Sequence, residues 1–515
     1  ASHNTRLISG ALDPLLGTTT LKPLNVALAQ TIWRYGNSSD ESNWWFEFSG
    51  DVDVIRSPIA SDTWGRAYWA DGATPKYGPN SLLLSGVGAY PGGSYTLGVP
   101  APATPPTLAF TAGAGATAET RSYVYTYVTA YGEEGPPSTP TEPVTVDPTA
   151  SVTLSAMSTG PGGPYNISLK RIYRTSTVGS TAEFQFVAEI AVATASYVDT
   201  ISQALLGEVL PSQDWVAPPA GLRGLKVMAN GAAIGFVGNT AHLSEPNLPH
   251  AWPHRVPIED EIVGIGVFGQ GAVLLTAGHP YMLSGADPSA MSAEKYSQPQ
   301  ACLSKRGIVD TDQGTLYPST DGLVRVGPGG EIDVVTRGLL SRAQWQAYNP
   351  ASMIAAHIDG KYHCFYTTTG GARGMLIFDF TGEGGKMSTC GISELTAVNG
   401  VYADPRSDTL YLSQGANIVR HDRGSALTMI RRSGEYRLPA PANMACISVD
   451  AAAYPVTARV YADGTLVHTA TISSQFAQRL PSGFEARSGQ VELEAAAKIT
   501  RWAIATSIAE LKATP

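Results

Sequence analysis

Charge is what this sequence has least of. Asp, Glu, Lys and Arg make up 15% of its 515 residues, against about 25% in an ordinary soluble chain. Wide stretches of surface must therefore be neutral, the kind of surface that other protein covers. The 34 Lys and Arg are outnumbered by 43 Asp and Glu, for a net charge of -9. Tight or sequence-reading contact with nucleic acid needs clustered cations against phosphate, so that class is excluded. Transient passage of double-stranded DNA past an acidic wall is not. Cysteine is also scarce: Cys302, Cys364, Cys390 and Cys446 stand far apart without a CxxC spacing. This argues against a zinc site or disulfide framework and for reduced, mostly buried thiols of a protein made in a reducing cytoplasm. No apolar run reaches the roughly 18 residues of a spanning helix, and the opening ASHNTRLISG has no signal-peptide core. The expectation is a soluble chain with no membrane span.

Helical periodicity is lacking too, while Gly (54), Pro (36) and Tyr (23) are abundant. Many turns and many aromatic strand formers predict an all-β protein, and the length predicts several domains. From Leu222 to Asp422, short apolar strands recur between turn pairs at Asn230-Gly231, Gln270-Gly271, Gln313-Gly314 with Asp321-Gly322, Asp359-Gly360 and Asn399-Gly400. A step of roughly 40 residues is that of propeller blades, and Asn-Gly and Asp-Gly readily take the positive φ angles of two-residue hairpins. Radial stacking buries both faces of such sheets. About five units are visible, and the aromatic stretch Trp44 to Trp69 is expected to supply a sixth that closes the circle.

The predicted organisation is an extended N-terminal arm (1–40), a first propeller segment (41–100), an inserted β-sandwich (101–212), the main β-propeller (213–425) and a small C-terminal β domain (426–515). The insertion follows the Pro/Gly/Ala stretch Pro100 to Thr117 and opens with the alternating run RSYVYTYVTAY; it resembles a fibronectin type III module, mainly in YVTAYGEEGPPS and the later RIYRT. In the C-terminal region ARVYADGTLVHT predicts a hairpin centred on Asp463-Gly464.

Each pattern that hints at chemistry has a plainer explanation. Gly264 to Gly269 fits GxGxxG, yet AVLLT after it reads as a strand where a dinucleotide site needs a helix. Asp310-Thr311-Asp312-Gln313-Gly314 opens like a calcium loop but returns at once to strand. Glu259-Asp260-Glu261 offers the two carboxylates that an acid and a base require, but neighbours on a strand point to opposite faces, so a solvated charge run is expected. His242, His250, His254 and His279 lack metal-ligand spacing and are expected in packing or loop hydrogen bonds. Ser319-Thr320-Asp321-Gly322 and Ser61-Asp62-Thr63-Trp64-Gly65 approach the Asp-box turn of sialidase propellers without its full order. Trp44, Trp45, Trp64 and Trp69 are expected to pack at blade interfaces rather than to stack sugars. No catalytic site, cofactor or metal is expected.

A further set of phrases points to a family. SEPNLPHAWP (Ser244 to Pro253), IVGIG (Ile262 to Gly266), QACLSKRGIV (Gln300 to Val309) and STDGL (Ser319 to Leu323) resemble the central part of tail structural proteins of short-tailed bacteriophages, nearest to the nozzle or tail tubular protein B type. The resemblance spans Leu222 to Leu511. It implies a virion tail component, synthesised in the host bacterial cytoplasm, that self-associates into a homohexameric ring. Such a ring lies beside the tail adaptor and tail fibre or spike proteins, retains the genome, then conducts double-stranded DNA during ejection without recognising its sequence. Glu259, Asp260 and Glu261 are the channel-lining candidates because three carboxylates cluster there. The alternative of a different class is a phage-borne receptor- or glycan-binding, or glycan-hydrolysing, propeller.

Overall fold

The structure, a computed structural model, describes residues 2–6, 11–36, 38–112, 118–178, 181–380, 386–390, 398–481, 483 and 485–513. Residues 113–117 of the Pro/Gly/Ala stretch and the side chain of Cys390 lie outside the described residues. The chain is all-β. Its recurring motif is a four-stranded antiparallel meander, the β-propeller blade, and it divides into two compact units, residues 51–299 and residues 1–50 with 300–515.

In the 51–299 unit, blade A runs through Asp53–Arg56, Ala67–Ala70, Lys76–Gly78 and Tyr95–Thr96. Blade B runs through Arg223–Val227, Ala233–Val237, Thr240–Leu243 and His254–Pro257, and blade C through Ile262–Phe268, Gly271–Thr276, Tyr281–Ser284 and Ser292–Lys295. Interior strands such as Ala67–Ala70 are buried at every position, because a blade between neighbours has no solvent face. Side chains of blades A and B share one core around Tyr68, Tyr77, Leu222 and Trp252, and those of B and C another around Ile234, Phe236, Ile265 and Leu274.

Between blades A and B stands the fibronectin-III-like β-sandwich. Thr107–Phe110, Val152–Ser155 and Tyr197–Asp199 form one sheet, and Tyr123–Thr129, Ile167–Val178 and Thr181–Ala191 another. They enclose Tyr123, Tyr125, Tyr127, Leu154 and Ile172. Glu133 fastens the sandwich to blade A: it accepts from Arg66 Nη1 at 2.6 Å, Tyr77 OH at 2.9 Å and Thr129 Oγ1 at 3.2 Å. Burial pushes the Glu133 carboxyl upward, and the Arg66 guanidinium opposes it.

The other unit holds blade D (Val309–Thr311, Gly314–Pro318, Leu323–Val326, Ile332–Val334) and blade E (Ile354–Ile358, Lys361–Thr367, Arg373–Asp379, Lys386–Cys390). Blade F takes three strands from late in the chain, Val398–Asp404, Thr409–Gln414 and Asn417–Arg420. Its fourth, Thr19–Pro23, comes from the N-terminal arm and pairs antiparallel with Asn417–Arg420. The first strands of blades B to F start 39 to 47 residues apart, which is the period seen in the sequence.

Three details differ from the sequence-based expectation, the first being that Trp64 is not packed at a blade interface but is 42% exposed, its ring 5.0 Å from that of Tyr131. Of the stretch Trp44 to Trp69, Trp45–Phe48 pairs with Thr31–Arg34 in a separate hairpin packed on blade F through Trp45, Tyr411 and Ile418. Asn399-Gly400 is no turn but lies inside the strand Val398–Asp404. A Cβ on Gly400 would stand 2.6 Å from the Gln30 carbonyl oxygen, so glycine is there for close approach of the hairpin's entry. The true tip of this blade's first hairpin lies at residues 405–408.

Ser2–His3 pairs on one side with Lys386–Cys390 of blade E and on the other with Met429–Arg432. Blade E thereby continues into a sheet of the C-terminal domain, through Ala486–Ala495 and Val456–Ala462 to Thr465–Ile472. A second sheet, ordered Gln478–Arg479, Cys446–Ala451, Ile499–Ala505, faces it across a core of Ile447, Val456, Val460 and Leu493.

Glu47 secures the arm. Its side chain is fully buried, and it accepts from Lys22 Nζ and Asn25 N at 2.5 Å each and from Val26 N at 2.9 Å. Removing one partner of a buried pair strands the others. Glu47→Ala is therefore expected to cost about 3–5 kcal/mol in the unfolding transition of this unit, measured by denaturant titration, while Glu47→Gln costs less. An unchanged midpoint for Glu47→Ala would contradict this account of the arm.

Candidate functional site

The acidic run 259–261 lies in the bend between the last strand of blade B and the first of blade C. Glu259 is exposed and meets Lys295 Nζ at 2.6 Å. Asp260 lies 3.9 Å from the same Lys295 Nζ and accepts from His279 N at 3.2 Å and Tyr281 OH at 3.3 Å. The Glu261 side chain is exposed, and its backbone carbonyl accepts from Ala277 N at 2.9 Å. Glu259 and Asp260 thus share Lys295, which offsets part of their charge, while Glu261 is engaged through its backbone.

The histidines read from sequence are dispersed through the same unit. His254 meets Glu245 at 3.0 Å. His250 is buried edge-on to Trp215, with ring centroids 5.6 Å apart, and burial lowers its pKa to about 3, helped by the charge of Arg66. Asp62, in the Asp-box-like turn, accepts from Trp64 N, Arg66 N and Arg66 Nε at 3.2, 3.0 and 2.9 Å, which explains it as turn chemistry. In the calcium-loop-like run, Asp310 accepts from Thr315 Oγ1 at 2.8 Å and Thr311 Oγ1 donates to the Gly314 carbonyl at 2.8 Å. Among the described residues no three His, Cys, Asp or Glu side chains gather as a metal site. The described cysteines Cys302, Cys364 and Cys446 are free and buried, and burial pushes the Cys302 thiol up to about 12.

The most unusual site was not anticipated. Between blades E and F a cavity of about 180 Å³ is lined by Arg6, Asp359, Lys361, His363, Asp422 and Arg423, among others. His363 comes from the second strand of blade E, and His421 follows the last strand that the late chain gives to blade F. Their rings lie edge to face, centroids 5.8 Å apart, and both residues are buried, at 6% and 5% exposure. Nδ1 of His363 and both ring nitrogens of His421 have no hydrogen-bond partner among the described residues. The rim is charged but balanced. Asp422 accepts from Arg6 Nη2 at 2.9 Å and from Leu16 N at 2.7 Å, Lys361 pairs with Asp359, and Arg423 Nη2 donates to the Asp408 carbonyl at 3.2 Å.

Burial holds both imidazoles neutral. The pKa of His421 falls to about 4, with Asp422 pulling it up and Arg6 and Arg423 pushing it down, and His363 lies well below its ordinary value. Nothing in the sequence flags this pair. His363 sits in KYHCFYT, whose central residues are all buried, and the two positions meet only once the arm and two blades are assembled.

These depressed values make stability depend on pH. In the unfolded chain His421 takes up a proton near 6.5; in the folded chain it stays neutral until about 4. The unfolded state thus binds more protons in this window, so stability is complete above 6.5 and falls as pH drops toward 4. The expected loss for His421 is on the order of 3 kcal/mol, and His363 adds in the same direction. Chemical denaturation between pH 7.5 and 4.5 (about that range) tests this: His421→Gln is expected to flatten the slope, and an identical slope in the variant would refute it.

Compared with known proteins by sequence, the chain matches no protein-family profile and no curated protein. Among solved structures it is similar to the WD40 domain of Neurospora crassa Pan2 at 8% identity and a TM-score of 0.27, covering 54% of this chain and 86% of that one.

Proposed function

We propose that the chain is a structural subunit of a short-tailed bacteriophage virion, a tail nozzle or tail-tube protein whose copies close into a ring, retain the genome and then conduct it during ejection. The observation that carries this reading is the set of large apolar side chains held out at loop tips in both units. Val87 is fully exposed, framed by Gly86 and Gly88, and Leu28, Leu205 and Phe476 are 61%, 74% and 75% exposed. Isolated exposed apolar residues are ordinary, but here they accompany a surface poor in charge and stand where a partner can reach them. Identical subunits in head-to-tail contact close by rotation into a ring, and neutral β surfaces suit permanent contacts of that kind.

The phrases that carry the resemblance to phage tail proteins build blades. In SEPNLPHAWP the Trp252 indole donates to the Pro249 carbonyl at 2.7 Å beneath the blade A and B core. At the entry to blade D, Gln300 accepts from Tyr317 OH at 3.0 Å through its carbonyl and from Ser319 Oγ at 3.0 Å through its side chain. The net charge of -9 favours sliding of DNA over adhesion. The proposed partners are further copies of the chain, a tail adaptor and fibre or spike proteins.

Electron microscopy of the purified chain and of the intact particle carrying it, with native mass on the same sample, tests the reading. Closed rings of about six copies around a channel are the expected result. Particles that stay monomeric, or that project from the side of a tail instead of ending it, would overturn it.

A further inference from the structure

The C-terminal sandwich carries a second cavity, of about 310 Å³, open to solvent and lined mostly by carbon. Tyr436, Met444, Tyr461, Val491, Trp502 and Ile504 form its walls. The Arg432 guanidinium lies 3.7 Å from the Tyr461 ring centroid and donates to Gln490 Oε1 at 2.7 Å, which fixes that wall. Strand order locates the opening. The walls come from Ile499–Ala505, an edge of the smaller sheet, from Tyr436–Ala442 and its partner Ala486–Ala495, and from Tyr461 of the next strand, Val456–Ala462. At the other edge of both sheets, residues 473–477 cross from Thr465–Ile472 to Gln478–Arg479, and this crossing holds Phe476 out at 75% exposure. One small domain therefore presents an open aromatic cavity on one edge and an exposed phenyl ring on the opposite edge.

We propose that the cavity receives Phe476 of a second copy of this chain. A protruding apolar side chain that fits a cavity elsewhere on the same surface makes a head-to-tail contact, which leaves one cavity and one ring free to propagate. Placing both on opposite edges excludes filling of a chain's own cavity by its own Phe476. Aromatic anchors in desolvated pockets are the residues on which interfaces depend most, and a buried phenylalanine removes about 150–250 Å² from water. The lining also discriminates between occupants. Gln490 has its oxygen engaged by Arg432 and its nitrogen directed at the Ser433 carbonyl at 3.4 Å, so a sugar would find few of the polar partners that its hydroxyls require. The proposal names the contact behind the ring-forming reading and rests on that reading.

Two substitutions separate the halves of the contact. Phe476→Asp removes the ring from an exposed loop and leaves the core alone. Gly489→Leu fills the cavity from a strand position where an added Cβ meets only Met444 Cε and the Tyr461 carbonyl oxygen, each at 4.0 Å. Mass photometry and sedimentation of the full chain are expected to show self-association weakened about tenfold or more in either variant alone. Mixing the variants restores one intact contact per pair, so the expected product is a one-to-one dimer that does not grow. Rings formed by both variants as readily as by wild type would overturn the contact while leaving the ring-forming reading in place. A mixture that stays monomeric would also overturn it. A wild-type chain that never associates would overturn both. Binding of a neutral oligosaccharide panel that Gly489→Leu abolishes, with assembly unchanged, would reassign the cavity to glycan.

Discussion

The pairing of Thr19–Pro23 with Asn417–Arg420 is the constraint on which the residue 1–50 and 300–515 unit depends. A sheet edge left open exposes unpaired backbone groups and invites pairing with another chain. Blade F has only three strands of late sequence, so its edge is covered by a strand made near the start. Ser2–His3 does the same between blade E and the C-terminal domain. Around these two pairings gather Glu47 with its three donors, the hairpin that forces glycine at position 400, and the Arg6–Asp422 bridge at the mouth of the histidine cavity. The arm is thus structural material of two blades, and its removal would open several interfaces at once.

A chain with so few charges spends many of them inside. Asp404 sits buried between Arg34 and Arg406, Asp199 is buried against Arg174 and the Tyr123 hydroxyl, and Glu134 is tied to Arg171, Thr126 and Tyr173. Buried pairs contribute little net stability compared with well-packed apolar groups, but breaking one is costly. Their effect is to fix geometry: the first holds the hairpin against blade F, and the others align strands of the inserted sandwich. Each such pair also withdraws charge from a surface that has little of it.

The blades were legible in the sequence wherever a turn has strict backbone demands. Asp359 and Gly360 take φ values of 51° and 67°, and Asp463 and Gly464 take 48° and 81°, as two-residue hairpins require. The inserted sandwich announced itself through the run of tyrosines, of which Tyr123, Tyr125 and Tyr127 turn out to be core. What escaped were features made by distant residues. Gly400 looks like a turn glycine until the Gln30 carbonyl is placed beside it. The arm shows no local sign that Thr19–Pro23 completes a blade. His363 and His421 are ordinary strand and loop residues until the two blades meet. Local chemistry is written in neighbouring letters, whereas these depend on which strands end up adjacent.

The borrowed strand of blade F also sets an order of events during synthesis. Residues 51–299 form a continuous stretch and can condense as soon as they have left the ribosome. Thr19–Pro23 must wait for a partner about 400 residues further along, a delay on the order of 20–80 s at ordinary elongation speeds. For that time Thr19–Pro23 is an unpaired strand, and Leu21, Leu24 and Ile32 await the Tyr411 and Ile418 side that completes their core. Every growing copy on one message exposes the same apolar segment to its neighbours until then, as unpaired strand edges do.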